Sequence, residues 1–198
     1  DASNRKVHTY TIDSLAAGTE VKAVVQKKPQ ITITQPTNGT GTIIVTGTIE
    51  GVANQNIRNG KWVDCGTTIT VTVEPTDNYV VTGITAKTVS DSVAASNTSN
   101  AGTKASGVQT LTFSPTENVT ISATFEEKPT VSIGSGITNG TVTFTGKKNG
   151  QDVTETSTDQ HVDFGSTVTI TATPDNGYVV GTIDGVDVNT GRANGSIT

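Results

Sequence analysis

Few side chains in this 198-residue sequence stand where chemistry could start. The densest run of oxygen donors is Asp184-Gly-Val-Asp187-Val-Asn189. Carboxylate and amide oxygens suit a calcium ion, which gathers roughly six to eight of them. Three side chains fall short of that number, and the glycine and the two valines also spell a β-turn. The β-turn is the expected reading and no cofactor is expected; calcium is the one cofactor the run could serve, with Asp184, Asp187 and Asn189 as weak candidate ligands. Trp62, the single tryptophan, follows Lys61 in the loop-like run Arg58-Asn-Gly-Lys-Trp-Val. An exposed indole stacks on a sugar ring or anchors a protein partner, whereas a covered one closes the end of a core. Trp62 is therefore the candidate ligand-binding residue, with a glycan or a host protein as the partner class.

The other reactive groups lack company. His8 and His161 fall at unrelated places, and neither has a nucleophile and an orienting group in view. No serine lies in a Gly-x-Ser-x-Gly context. Cys65 is alone and cannot form an internal disulfide; its counterpart in the repeat described below is Phe164, so a buried apolar role is expected for it. A Lys–Asn amide cross-link needs a lysine, an asparagine and an acid together in an apolar setting. Lys22 is the mid-strand candidate, but it lies on the polar phase of its segment and is not repeated. No catalytic residue is assigned, and the expected function is non-enzymatic.

The elements that would position such groups are β-strands. Hydrophobic residues make up 32% of the chain and charged residues 16%, so charge has not replaced the missing apolar content. Threonine has: there are 40 Thr and 24 Val. Both are β-branched, stiff at χ1 and suited to a half-buried pleated surface. The net charge of −5 and the lack of a basic stripe exclude a nucleic-acid binder. No apolar run approaches the roughly 18 residues of a membrane-spanning helix. A chain that opens at Asp1 and contains no Met reads as a segment excised from something longer.

The sequence repeats itself at an offset of 99, with drifts of one or two residues in turns. VDCGTTITVTVEPTDNYVV at Val63 returns as VDFGSTVTITATPDNGYVV at Val162. Pro29 meets Pro129, Gly47 meets Gly146, and Asn38-Gly39 meet Asn139-Gly140. Val7-His8-Thr9-Tyr10-Thr11-Ile12 meets Val108-Gln109-Thr110-Leu111-Thr112-Phe113, and Ala23 meets Ala123. The order Asn-Gly-Thr, a Gly-x-Thr-Val-Thr-Ile strand, Pro-Asp-x-Gly-Tyr, then Val-Thr-Ile-Ser-Ala-Thr-Phe resembles the InlB B-repeat-like modules of bacterial surface proteins, including their divergent and Listeria–Bacteroides relatives. Thr141–Tyr178 and Asn118–Phe125 carry most of the likeness. One departure is clear. Those modules usually place Gly-Trp shortly after the tyrosine, where this chain reads Val81-Thr82-Gly83-Ile84 and Val180-Gly181-Thr182-Ile183. The resemblance implies an extracellular or bacterial cell-surface location.

Alternation predicts strands near 7–12, 20–26, 30–34, 41–49, 67–74 and 78–88, and again near 107–113, 118–125, 130–133, 140–146, 166–173 and 177–184. No segment carries a convincing helical period. The expected fold is all-β: two tandem small antiparallel β-sandwich, Ig-like domains, with β-grasp-like modules as the alternative. Domains are expected at 1–95 and 107–198 around a linker at 96–106, the Ser90–Gly107 stretch having the composition of a flexible connector. The frame usual in the resembled family would instead give 30–129 as one module and 130–198 plus a terminal hairpin as the other. Ile12, Val21, Ala23, Val25, Ile31, Ile33, Tyr79 and Val81 are expected in the first core. Such a chain reads as a structural or adhesive tandem segment, a spacer or a fibre-forming unit, with a carbohydrate- or host-protein-binding module as the alternative. The family frame adds head-to-tail self-association by strand addition.

Overall fold

The computed structural model describes residues 9–14, 17–89, 93–98, 107–156 and 159–183. Fourteen β-strands and no helix are found among them. They are β1 (Gln30–Ile33), β2 (Gly41–Ile49), β3 (Val52–Asn56), β4 (Lys61–Trp62), β5 (Ile69–Pro75), β6 (Tyr79–Thr88), β7 (Val93–Thr98), β8 (Gln109–Phe113), β9 (Val119–Glu127), β10 (Thr130–Val131), β11 (Gly140–Lys148), β12 (Gln151–Glu155), β13 (Gln160–His161) and β14 (Thr169–Pro174). The chain divides into two compact units. One comprises Asp1–Glu74, Gly83–Thr98 and Val108–Thr124; the other comprises Pro75–Thr82, Ser99–Gly107 and Phe125–Thr198.

In the first unit, β3-β2-β5-β8 form one sheet, and β1 lies between β4 and β9 in a second sheet of order β4-β1-β9-β6-β7. The threonine-rich strands sort their faces by alternation. Ile69, Val71 and Val73 of β5 are fully buried, and the threonines between them are half-exposed. Ile43 and Val45 of β2 and Ile31, Ile33 and Ile121 of the other sheet complete a thin two-layer core, as in a β-sandwich. One pair is parallel: β1 with β9, in register Ile31↔Val119 and Ile33↔Ile121. Gly47 of β2 is glycine for want of space. A Cβ there would lie 2.5 Å from Ile69 Cδ1 and 2.8 Å from Ile57 Cδ1.

The second unit repeats part of this plan. β11 is flanked by β12 and β14, and β10 pairs with β13. Phe144 takes the place of Val45, and Val162 that of Val63; all four are buried.

Five strands carry no alternation signal: β3, β4, β7, β12 and β13. β3 (VANQN) and β12 (QDVTE) form because a two-residue turn folds them back on β2 and β11. Those turns, Glu50-Gly51 and Asn149-Gly150, have positive φ at both residues (54° and 79°, 52° and 77°), the twist a tight hairpin requires. β7 pairs antiparallel with β6 and lies within the stretch read as a connector. Conversely, the strands expected at 7–12 and 20–26 are absent over residues 9–12 and 20–26, and that expected at 177–184 is absent over 177–183. A strand needs a partner edge, and among the described residues these segments pair with none. Their apolar side chains are correspondingly open: Tyr10 is 86% exposed, Val21 70%, Val25 91% and Val179 89%. Of the residues expected in the first core, Ile31, Ile33 and Val81 are buried. Tyr79 and Ile12 are half-buried, and Val21, Ala23 and Val25 are exposed.

Candidate functional site

Lys128 is the one buried charged residue among the described residues. It follows β9, and Pro129 after it opens the approach to β10. Its backbone N–H donates to Asn78 O at 2.8 Å. Its Nζ donates to Asn149 Oδ1 at 2.5 Å and lies 3.0 Å from a carboxylate oxygen of Asp163. Asp163 faces the β11–β12 turn from the other side. It accepts the backbone N–H of Asn149 at 3.0 Å and of Gly150 at 2.7 Å. Asn149 Nδ2 in turn donates to Asp77 at 3.2 Å. Burial alone would raise the Asp163 carboxyl. The Gly150 N–H, the Lys128 ammonium and the Asn149 N–H overcome that and hold it below its ordinary value of 3.8.

The first unit contains the same device. Lys28 lies 2.9 Å from Asp64, and Asp64 accepts the N–H of Gly51 at 2.9 Å. Val63 and Val162 donate their N–H groups to Pro29 and Pro129, and Thr67 and Ser166 close the same turn on Asp64 and Asp163. Each copy thus ties the residue before its first strand, its β-hairpin turn and its Val-Asp loop to one carboxylate. The repeat alignment brought Pro29, Pro129, Asp64 and Asp163 into view, but not the lysines. The signal was there, since each proline is preceded by Lys.

A lysine, an asparagine and an acid in mutual contact are also the components of a Lys–Asn amide cross-link, at Lys128 rather than Lys22. That reaction loses ammonia and needs an acid able to pass a proton. Asp163 is held ionised by two backbone N–H groups, and Asn149 sits exposed in a turn. The arrangement therefore serves as a clamp rather than a reaction centre.

Trp62 is not in a loop. It sits in β4, opposite Gln30, and is 37% exposed. The ammonium of Lys27 lies 5.7 Å from its ring centroid, a cation–π contact that covers part of one face. In the second unit His161 holds the same seat opposite Thr130 in β13, and its Nε2 lies 3.0 Å from Glu127 Oε1. Lys27 and Glu127 are themselves repeat counterparts, so the strand-edge pair is kept while its chemistry changes. Cys65 is half-exposed in the turn after Val63, not buried as expected. Its Sγ faces Thr116 O at 3.9 Å, and the apolar seat of the loop belongs to Val63. Asp184, Asp187, Asn189 and His8 lie outside the described residues. Among the described residues no group of three or more His, Cys, Asp or Glu is arranged to hold a metal ion.

The second unit also carries a cleft. Among the described residues β14 pairs with β11, and β10 with β13. In the first unit the corresponding edges, on β5 and β1, are taken by β8 and β9. A cleft of about 290 Å³ lies beside these strands, lined by Val131, Phe144, Ile170 and Ala172 and, from the stretch after β14, by Thr182 and Ile183. Ile170 is 39% exposed, although its counterpart Val71 is fully buried.

Residues 137–198 match the divergent InlB B-repeat domain. The resemblance read from the sequence thus holds for that stretch. The matched part runs from just before β11 past β14 and includes Asn149, Gly150 and Asp163; Lys128 precedes it. Neither the curated proteins nor the solved structures gave a significant match to the chain.

Proposed function

We propose that the chain is a non-catalytic structural segment of a bacterial surface protein, in which tandem β-modules act as a spacer. The duplicated clamp carries this reading. Two copies of one plan, each cinched by a lysine, an aspartate and a hairpin turn, hold module shape without offering a reactive group. The match to the divergent InlB B-repeat domain supports the surface assignment. Among the described residues no helix is long and apolar enough to cross a membrane.

The competing role is binding of a glycan or host protein through Trp62. The test is a glycan array and host-protein panel probed with the full chain and with Trp62→Ala. The spacer reading expects no signal that depends on Trp62. Binding at roughly micromolar strength (about −8 kcal/mol) that disappears in the variant would sink it. Labelling of intact, unpermeabilised producing cells by antibody against the chain tests the location, and label seen only after permeabilisation counts against it.

A further inference from the structure

The clamp of the second unit holds a chemically labile pair. In Asn149-Gly150 a side-chain amide is followed by a residue without a side chain, so the next backbone nitrogen can approach Cγ with little steric resistance. Ring closure between them needs two freedoms. The Asn149 amide must turn toward the main chain, and the Gly150 N–H must be able to give up its proton. The structure withdraws both. Asn149 Oδ1 accepts the Lys128 ammonium at 2.5 Å and Nδ2 donates to Asp77 at 3.2 Å, so the amide is tied at both ends. The Gly150 N–H donates to Asp163 at 2.7 Å, and an ionised carboxylate opposes a second negative charge on that nitrogen. Positive φ at both residues, 52° and 77°, fixes the main chain of the turn. Access of water is no barrier, since both residues are exposed. The first unit has Glu50-Gly51 at this turn, with no amide to displace.

We propose that Asn149 is a latent modification site, which the clamp keeps closed and whose conversion records each opening of the clamp. Once the bonds to Lys128, Asp77 and Asp163 let go, the Gly150 nitrogen loses its proton to solvent and attacks Asn149 Cγ. The N–Cγ bond forms, the Cγ–Nδ2 bond breaks, and the amide nitrogen takes up a proton and leaves as ammonia. Water then opens the cyclic imide. Attack at Cγ gives aspartate, and attack at the main-chain carbonyl gives isoaspartate. No oxidant or cofactor takes part. Either product loses the donor to Asp77, so that two carboxylates face each other there. Isoaspartate also adds a methylene to the main chain of a two-residue turn, whose geometry is tight. A transient local opening is thereby turned into a permanent change. The proposal goes beyond the spacer reading, which fails on Trp62-dependent binding; only the experiments below reach Asn149.

The full chain is aged in mildly alkaline buffer, folded and in urea, and conversion of each asparagine is followed by peptide mapping that separates aspartate from isoaspartate. Asn149 is expected to convert at least about tenfold more slowly in the folded chain than in urea, because only the opened fraction reacts. Asp77→Ala removes one anchor at an exposed position. It is expected to speed Asn149 severalfold and to leave the melting temperature unchanged. Lys128→Met is expected to speed it further. Asn139-Gly140, at the start of β11 in the same unit, is the internal control, and its rate is expected to stay that of the native chain in Asp77→Ala. The imide and a Lys–Asn cross-link both lose one ammonia, but only the cross-link yields a branched peptide. Equal Asn149 rates in the folded and urea-unfolded chain overturn the proposal. So does an Asn149 rate that neither variant changes, and so does an acceleration in Asp77→Ala that Asn139 shares equally, since that reports general loosening rather than release of the clamp.

Discussion

The Nζ of Lys128 lies 3.0 Å from the carboxylate of Asp163, with both side chains largely withdrawn from water, while the equivalent Lys28 and Asp64 meet at 2.9 Å with roughly a quarter to a third of each side chain exposed. One linkage has thus been placed in two dielectric settings within one molecule. Removing one partner of a buried pair strands a charge, at about 3–5 kcal/mol. Exposed pairs contribute under about 1 kcal/mol, and a hydrogen bond from a backbone N–H adds to that. Asp163→Ala is therefore expected to cost about 3–5 kcal/mol and Asp64→Ala about 1–2 kcal/mol, by urea unfolding. Lys128→Met leaves no buried cation and is expected to cost less than Asp163→Ala. Equal costs at Asp64 and Asp163 would contradict the burial argument.

The Asp163 carboxyl sets an acid limit. Its folded-state value lies below 3.8, so the unfolded chain takes up the proton first as pH falls. Its contribution is complete above about pH 5 and is lost as the pH falls past the ordinary value and through the depressed folded one. Stability measured against pH is expected to fall more steeply across that window in the native chain than in Asp163→Asn. Parallel curves would show that the carboxylate is not the group being titrated.

The same carboxylate decides whether Lys128 and Asn149 stay separate. With Asp163 ionised and bound to two N–H groups, no acid is placed to assist attack of the lysine on the asparagine amide. The intact mass of the purified chain is expected to equal that of its sequence. A mass lower by one ammonia, with Lys128 and Asn149 found in one branched tryptic peptide, would reverse the assignment of this cluster from clamp to cross-link.

Close packing at the two strand glycines gives a graded prediction. A Cβ on Gly47 would crowd Ile69 and Ile57, which are at most 1% exposed and have no room to withdraw. Its counterpart on Gly146 would meet Val162 at 3.2 Å and Val168 at 3.7 Å, and Val168 is only half-buried. Gly47→Ala is expected to cost about 1–3 kcal/mol and Gly146→Ala less. A thermal-melting comparison that reversed this order would show that the Ile57–Ile69 contact is looser than described.

These contrasts explain what could be read in advance. β2 was legible to its last residue, because Ile43 and Val45 alternate with exposed positions against a core. The hairpin arms β3 and β12 were not, since their pairing comes from the positive-φ turns at Glu50-Gly51 and Asn149-Gly150 rather than from apolar period. The segments at 9–12 and 20–26 failed for the opposite reason. Val21 and Val25 carry the right pattern, but alternation reports a strand's faces and says nothing about whether an edge awaits it. Asp64 and Asp163 were visible as repeat partners, yet their role depends on Lys28 and Lys128, whose meeting with them crosses more than thirty residues of chain. The candidates at Asp184, Asp187 and Asn189 lie beyond the described residues, and Trp62 proved to be a strand residue beneath Lys27.

Burial along the two equivalent strands gives the last prediction. Ile69 of β5 is fully covered, and truncating a buried isoleucine costs about 2–5 kcal/mol. Ile170 of β14 is 39% exposed beside the open cleft, so Ile170→Ala is expected to cost under about 1 kcal/mol in dilute protein. Melting curves of Ile69→Ala and Ile170→Ala check the contrast. Ile69→Ala should show the larger deficit; a deficit for Ile170→Ala as large as that of Ile69→Ala would place its side chain in a closed core.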